Sequence, residues 1–348
     1  MTNRLVGIDI GSATIRAVEV DSPSTPRARV VRRREIPIPA DASRNGEVVD
    51  PHAMADALKR LWTTAGFKTK RVAIGIGGQR IMARELTVPR MSMGQIRASL
   101  PYQVQDTLPV PVGDLLLDFY PVADIGGENG RVVRGLLIAA LRESVRANVE
   151  AVQLAGLEAV LVDVVPFALV RALESQVKQD AVVAVIDVGA NTTTVVVADR
   201  GVPQFVRVIK AGGDGVTAGL SETLGLSLAE ADQLKLRVDL RDEAAGSRQD
   251  EEEARAMLLE FERTLLRTLR ATLGYYMSSE EARTIDQIVL TGGGARLSGF
   301  AEALAELSGV PVVEGRPFTG VSLARHIKTE DIDHTYAVAL GLALGSAA

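Results

Sequence analysis

Apolar residues fall in short, strand-length runs along this chain, and two of those runs carry the same polar interruption. VGIDIGSATIRAVEV, from Val6, and AVIDVGANTTTVVVA, from Ala184, align without a gap; Ile8, Asp9, Gly11, Thr14 and Val18 are matched by Ile186, Asp187, Gly189, Thr192 and Val196. Each reads as a buried strand, an Asp-x-Gly bend of small residues and a second strand, the pattern of a tight β-hairpin. The repeat predicts two duplicated α/β halves.

Between and after the hairpins the period changes. Residues 51–65 space their apolar positions as an amphipathic helix, 72–76 and 84–88 read as strands before the Pro89 turn, and 93–108 as a helix stopped by Pro109 and Pro111. Strands are expected at 115–122 and 133–141 around a polar turn at 126–130, and a helix at 144–155. The block 86–157 is therefore expected to be a compact α/β insertion. A strand at 160–164 and a helix at 166–176 lead to the second half. There AGGDGVT (211–217) precedes a helical stretch ending in AEADQLK at Lys235, and the charged residues 237–253 are expected to form a loop. Residues 251–277 form a long helix whose Leu258, Phe261, Leu265, Leu269 and Leu273 make a core-facing stripe. The domains expected are 1–85, completed by 158–179 and 330–348; 86–157; and 180–329.

Composition narrows the chemistry. With 348 residues, 47% hydrophobic and 24% charged, the chain has the profile of a folded protein of two units. No apolar run approaches the roughly 18 residues of a membrane span and no signal-peptide core precedes the first strand, so a cytoplasmic protein is expected. The absence of cysteine excludes disulfides, thiol nucleophiles and thiolate metal sites. His52, His326 and His334 show no metal or triad spacing and are expected on the surface or in loops. A net charge of −5 argues against a general nucleic-acid binder, and the local run Arg27, Arg29 and Arg32–Arg34 reads as the solvated part of an edge strand.

The bends carry the candidate chemistry. Gly11 and Gly189 let backbone N–H groups approach phosphate, Ser12, Asn191 and Thr192 add donors, and Asp9 and Asp187 can hold Mg²⁺ through its water shell. Two such hairpins face to face would grip a triphosphate from both sides. In IVLTGGGARLSGF an apolar strand runs into Gly292, Gly293 and Gly294, with a helix expected near Ser298, so a flat ligand could lie against bare backbone there. Leu297 breaks the G-x-G-x-x-G pattern and no P-loop occurs anywhere in the chain.

The order of these pieces, closed by HTYAVALGLALGS (334–346), resembles the superfamily of actin, sugar kinases and heat-shock chaperone ATPases. The insertion looks like the extra subdomain of the cell-division FtsA family. GIDIGSATIRAVEV, VPRM, QLAGLEAVLVDVVPFALVRAL, IDVGANTTTVVV, AGGDGVTAGL, EADQLK and LTGGGARLSGF together resemble the type IV pilus assembly PilM family across essentially the whole chain. The resemblance implies two actin-like (ribonuclease H-like) α/β domains around a nucleotide cleft, with ATP and Mg²⁺ as cofactors. It implies Asp9, Gly11, Ser12 and Ala13 at the first phosphate turn and Asp187, Gly189, Asn191 and Thr192 at the second. Gly212, Gly213 and Asp214 would flank sugar and phosphates, Lys235 the adenosine, and Gly292–Gly294 the base.

Two departures from the pattern favour binding over turnover. Arg16 stands where the family usually has a phosphate-contacting lysine, and residues 164–170 (VVPFALV) hold no carboxylate or amide where superfamily hydrolases orient water. The resemblance implies a binding platform for the N-terminal cytoplasmic tail of PilN, held in a groove beside the insertion. It admits contacts with other pilus motor or platform proteins and with a second copy of the chain, and places the protein at the inner face of the membrane through its partner. An FtsA-like filament former is the alternative. It ranks behind because that family usually ends in an amphipathic membrane helix, and this sequence stops after its last core helix. A kinase ranks third for want of a spare base in the cleft.

Overall fold

The computed structural model describes residues 3–345 apart from positions 24, 26, 40, 45, 128–129, 177–179, 239–248, 280–281 and 329–332. In chain order the first half opens with β1 (Arg4–Ile10), β2 (Thr14–Asp21) and β3 (Arg29–Pro37), a small hairpin β4 (Ser43–Arg44) and β5 (Glu47–Val48), then α1 (Pro51–Ala65) and β6 (Arg71–Ile76). β7 (Ile81–Pro89), α2 (Met93–Val104), β8 (Leu115–Gly127), β9 (Gly130–Leu141) and α3 (Arg142–Leu154) follow, and β10 (Glu158–Val164) with α4 (Val165–Leu173) returns the chain to the first half. The second half holds β11 (Val182–Val188), β12 (Thr193–Asp199), β13 (Val202–Ile209), α5 (Gly213–Leu224), α6 (Leu228–Arg237), α7 (Gln249–Met277), β14 (Gln287–Thr291), α8 (Phe300–Ser308) and β15 (Val312–Glu314). β16 (Ser322–Leu323) and α9 (Ala337–Ala343) close it.

The duplication read from the hairpins extends to the whole sheets. In the first, β3-β2-β1-β6-β10, and in the second, β13-β12-β11-β14-β15, an antiparallel three-strand meander is continued by two parallel strands. Parallel strands need helical crossovers and both faces covered, which is why β1, β6, β11 and β14 are almost wholly apolar. α1 shows how local signals fix such a crossover. Asp50 caps it, its carboxylate accepting from the backbone N–H groups of His52 and Ala53 at 2.8 and 3.2 Å; Pro51 occupies the first turn, and Gly66 ends it in the left-handed region.

α4 and α9 lie between the sheets. Leu5 and Ala73 from the first sheet, Val183, Val185 and Val289 from the second, and Leu169, Leu173 and Leu342 from the two helices share one core. The helices cross so closely that a Cβ on Gly341 would stand 1.8 Å from the Ala168 carbonyl oxygen. The small residues of the last helix therefore serve a backbone-to-backbone crossing.

The insertion is the antiparallel sheet β7-β9-β8 with α2 on one face, packed through Val88, Ile96, Leu100, Val104, Phe119 and Leu137. α3, expected inside the insertion, instead sends Ala151 and Val152 into the first-half core beside Met54, Leu58 and Leu61 of α1. The helix expected over 93–108 stops at Val104 and that expected near Ser298 starts at Phe300. Of the loop expected over 237–253, residues 239–248 lie outside those described; the acidic residues from Asp250 already belong to α7, where their charge suits the helix N-terminus. The α7 stripe is core, with Leu258, Leu265, Leu269 and Leu273 all buried. The arginine run is only partly solvated: Arg34 is exposed, Arg32 holds the buried Glu19 at 2.8 Å, and Arg33 lies over the Tyr336 ring at 5.2 Å.

Candidate functional site

The two Asp-x-Gly bends face each other across a cavity of about 830 Å³ between the halves. They share a backbone geometry set by the hairpin register: Gly11 N–H donates to Thr14 O at 3.0 Å and Gly189 N–H to Thr192 O at 2.9 Å. The Asn191 side-chain amide donates to the Ser12 hydroxyl at 2.6 Å, so the bends touch directly. Asp9, Gly11, Ser12, Ala13, Arg16, Asp187, Gly189, Asn191, Thr192, Gly292 and Gly293 all reach the cavity wall. Gly212, Gly213, Asp214, Lys235 and Gly294, also predicted, do not.

The non-lining residues buttress the wall. Gly213 N–H donates to Gly189 O at 3.1 Å and Asp214 N–H to Ala190 O at 2.7 Å, clamping the start of α5 onto the second bend. Lys235 stands behind that turn, donating to the Thr217 hydroxyl at 2.8 Å and paired with Asp232 at 2.6 Å. Gly292 has φ of +83°, and a Cβ there would fall 2.6 Å from an Asp187 carboxylate oxygen, so only glycine lets the turn pass the acid. Gly294 packs its bare Cα side on Val188.

Electrostatics single out the two acids. Burial raises the Asp9 carboxyl to about 6, against the pull of Arg16. Burial first, and then the charge of Asp9, raise Asp187 to about 7. Both raised values mean that a positive charge placed between the two carboxyls would favour their ionised forms. No three His, Asp or Glu side chains are grouped to hold an ion among the described residues, so a cation here would take most of its ligands from water and from the anion it accompanies. Arg16 is not wholly free for that anion, since its Nε donates to Glu35 at 3.0 Å.

Some wall residues escape the hairpin logic. Gly75, Gly77 and Gly78, at the end of β6, bring bare backbone to the cavity, and Lys210, at the end of β13, supplies an ammonium. Both adjoin elements already read: GIGGQR is a glycine cluster after a strand, and Lys210 directly precedes Ala211-Gly212-Gly213. His334 corrects the expectation of a surface or loop histidine. It is buried, its Nδ1 stands 2.9 Å from Glu314, its carbonyl accepts from the Thr291 hydroxyl at 3.0 Å, and burial pulls its pKa down. With the Arg296–Asp333 pair it ties the glycine turn to the start of α9.

Two matched half-sheets, a cleft between paired phosphate-type bends and a crossing helix pair beneath it are the fold of the actin-like ATPases. An ADP-bound MreB5 of Spiroplasma citri has this fold, with a TM-score of 0.54 at 13% identity over 97% of this chain and 94% of that one. The sequence pattern of the family described as Type IV pilus assembly protein PilM matches residues 7–347, and the chain belongs to that family. A solved PilM–PilN type IV pilus biogenesis complex matches with a TM-score of 0.86 and 26% identity, covering 98% of this chain and 97% of that chain. The cell division protein FtsA of Streptococcus pneumoniae (serotype 2, strain D39) is 24% identical, over 88% of this chain and 74% of its own length. The protein is thus an actin-like protein of type IV pilus assembly, with FtsA among its relatives.

Proposed function

We propose that the protein binds Mg-ATP between the two bends and captures the N-terminal cytoplasmic tail of PilN in a groove beside the insertion, the occupancy of one site biasing the other. Asp9 and Asp187 hold the ion through water. Backbone N–H groups of Ser12 and Ala13 and of Ala190–Thr192, held in place by the glycines before them, meet the phosphates with Arg16 and Lys210. Gly212–Asp214 support the sugar and phosphate side, Lys235 the adenosine, and Gly292–Gly294 the base. The inserted unit is the β7-β9-β8 sheet with α2, and α3 serves the first half. The bound forms named for the similar structures, PilM with PilN and MreB5 with ADP, support both halves of this reading.

The observation that carries it is a groove of about 1180 Å³ whose walls share two helices with the cleft. β8, the edge strand of the insertion, and β10, the edge of the first sheet, both border the groove. Leu116 on β8 and Val162 on β10 keep 39% and 40% of their surface exposed and face the same groove from its two edges, which makes them apolar contact points for an extended segment. Val165 of α4 and Val338 of α9 line the cleft, while Phe167 and Arg171 of α4 and Leu344 beyond α9 line the groove. Arg171 donates to Gly341 O at 2.8 Å and pairs with Asp163, so helix crossing and groove floor are one bonded unit. An extended tail could add to either edge or bury apolar side chains between them.

Calorimetry with Mg-ATP, and anisotropy with a labelled PilN tail peptide on the whole chain, test the two halves separately. Val162→Glu is expected to weaken tail capture at least tenfold, about 1.4 kcal/mol, because it sets a charge on the groove wall, and to leave ATP binding intact. Unaltered tail affinity in that variant would remove the groove from consideration. Purified protein is also expected to release phosphate slowly or not at all, since α4 offers the cleft Val165 and no side chain to orient water. Multiple turnovers per second without a partner would contradict this.

A further inference from the structure

The arginine run takes no part in the cleft or the groove. β3 is paired with β2 along its inner side, but on its outer side β16 meets it only at Arg29 and Val30, with Ala324 N–H reaching Val30 O at 2.9 Å. Among the described residues no strand pairs with the outer edge from Arg32 onward. Such an edge presents backbone donors and acceptors to any extended segment that arrives, and β16 is already an example of one added in parallel.

A hollow of about 520 Å³ runs along this edge, between Thr64 of α1 on one side and His326 and Tyr336 on the other. Arg32, Arg33 and Arg34 line it. Their side chains alternate across the strand and two of them are held in place. Arg32 is fixed by Glu19, and Arg33 by the Tyr336 ring and hydroxyl. Arg34, opposite Ala17 in the register, is exposed. The one acid on this stretch, Glu35, is engaged by Arg16. In a chain whose net charge is −5, three consecutive guanidinium groups beside an unpaired strand edge form a local surface of opposite sign.

We propose that this edge is a docking site for an extended, acidic peptide segment of a partner protein, which adds to β3 as a strand and sets its carboxylates along the face that carries Arg34 and, two residues before it, Arg32. The open edge decides for a peptide over a phosphate or a lipid headgroup. Main-chain hydrogen bonds need a partner backbone, and guanidinium forks match carboxylates spaced by the two-residue period of a strand. The site stands apart from the PilN groove and does not depend on it.

The test uses the full chain and three labelled ten-residue peptides: alternating Glu and Val, its Gln and Val counterpart, and the Glu and Val peptide with alternate backbone amides methylated. The acidic peptide is expected to bind saturably, with Arg34→Glu weakening it at least tenfold, and both control peptides binding at least tenfold more weakly. Arg34→Ala, which adds no repulsion, is expected to give a smaller loss in the same direction. Neither variant touches the core, so melting temperature and PilN-tail binding are expected to stay unchanged. No saturable binding up to about 1 mM, equal binding of the methylated peptide, or affinity untouched by Arg34→Glu each overturns the proposal. So does sedimentation with phosphatidylglycerol vesicles that Arg34→Glu abolishes while peptide binding stays the same, an outcome that would make this a membrane face.

Discussion

Glu19→Ala is expected to destabilise the protein by about 3–5 kcal/mol, the range for removing one partner of a buried charge pair. Glu19 is fully buried within the first sheet, opposite Val6 on β1 and Arg32 on β3. Its carboxylate accepts from Arg32 at 2.8 Å and from the Lys68 backbone N–H at 3.1 Å, and stands 3.6 Å from Arg4. Alanine would leave two mostly covered guanidinium groups and one N–H with no acceptor, a larger cost than the lost attraction itself. Glu19→Gln keeps an acceptor without the charge and should fall between. Urea unfolding decides the matter: the midpoint should drop with the slope unchanged. A loss under about 1 kcal/mol would mean that water reaches these groups as soon as the carboxylate is gone.

How much of this was legible in the sequence depends on whether a feature is local. The hairpins were, because strand period and Asp-x-Gly bend lie within fifteen residues of chain and the same pattern recurs without a gap in the second half. The class of fold and the family followed from their order. Gly292 was legible for the same reason, a glycine cluster directly after an apolar strand.

Features made by distant segments were not. The apolar stripe of α3 tells which face is buried and not which neighbour covers it, so sequence order alone groups the helix with the insertion, whereas Ala151 and Val152 pack in the core that holds α1. His334 has no neighbouring signal; its partners are Glu314, twenty residues earlier, at the ring and the Thr291 hydroxyl at its carbonyl. Lys235 is placed at the adenosine by its motif, and only the folded chain shows the direction of so long a side chain, which donates to Thr217 and pairs with Asp232 behind the wall. The groove walls come from β8 and β10, which only the folded chain brings side by side.

Asp187→Asn is expected to stabilise the protein without nucleotide by roughly 1–3 kcal/mol at pH 8 while removing the magnesium-dependent part of ATP binding. The sign follows from the direction of the shift. Burial, with the charge of Asp9 beside it, raises Asp187 from 3.8 to about 7 in the folded protein. Between those values the folded state keeps a proton that the unfolded chain has lost. Stability is therefore fullest below about pH 4, falls as pH rises through about 7, and levels off above. Asparagine carries no proton to lose, so the slope of stability against pH should flatten in the variant, with Asp9, raised to about 6, supplying what remains. An ion in the cleft has the opposite preference and draws both acids into their charged forms. Mg-ATP binding to the unmodified protein should then release protons near pH 6 and tighten as pH rises from 6 to 8, and both effects should shrink in Asp187→Asn. Calorimetry in buffers of different ionisation enthalpy measures the protons directly, and thermal melts between pH 5 and 8 measure the slope. Identical slopes for the two proteins would show that Asp187 is ionised throughout, and magnesium dependence retained in full by the variant would place the ion elsewhere.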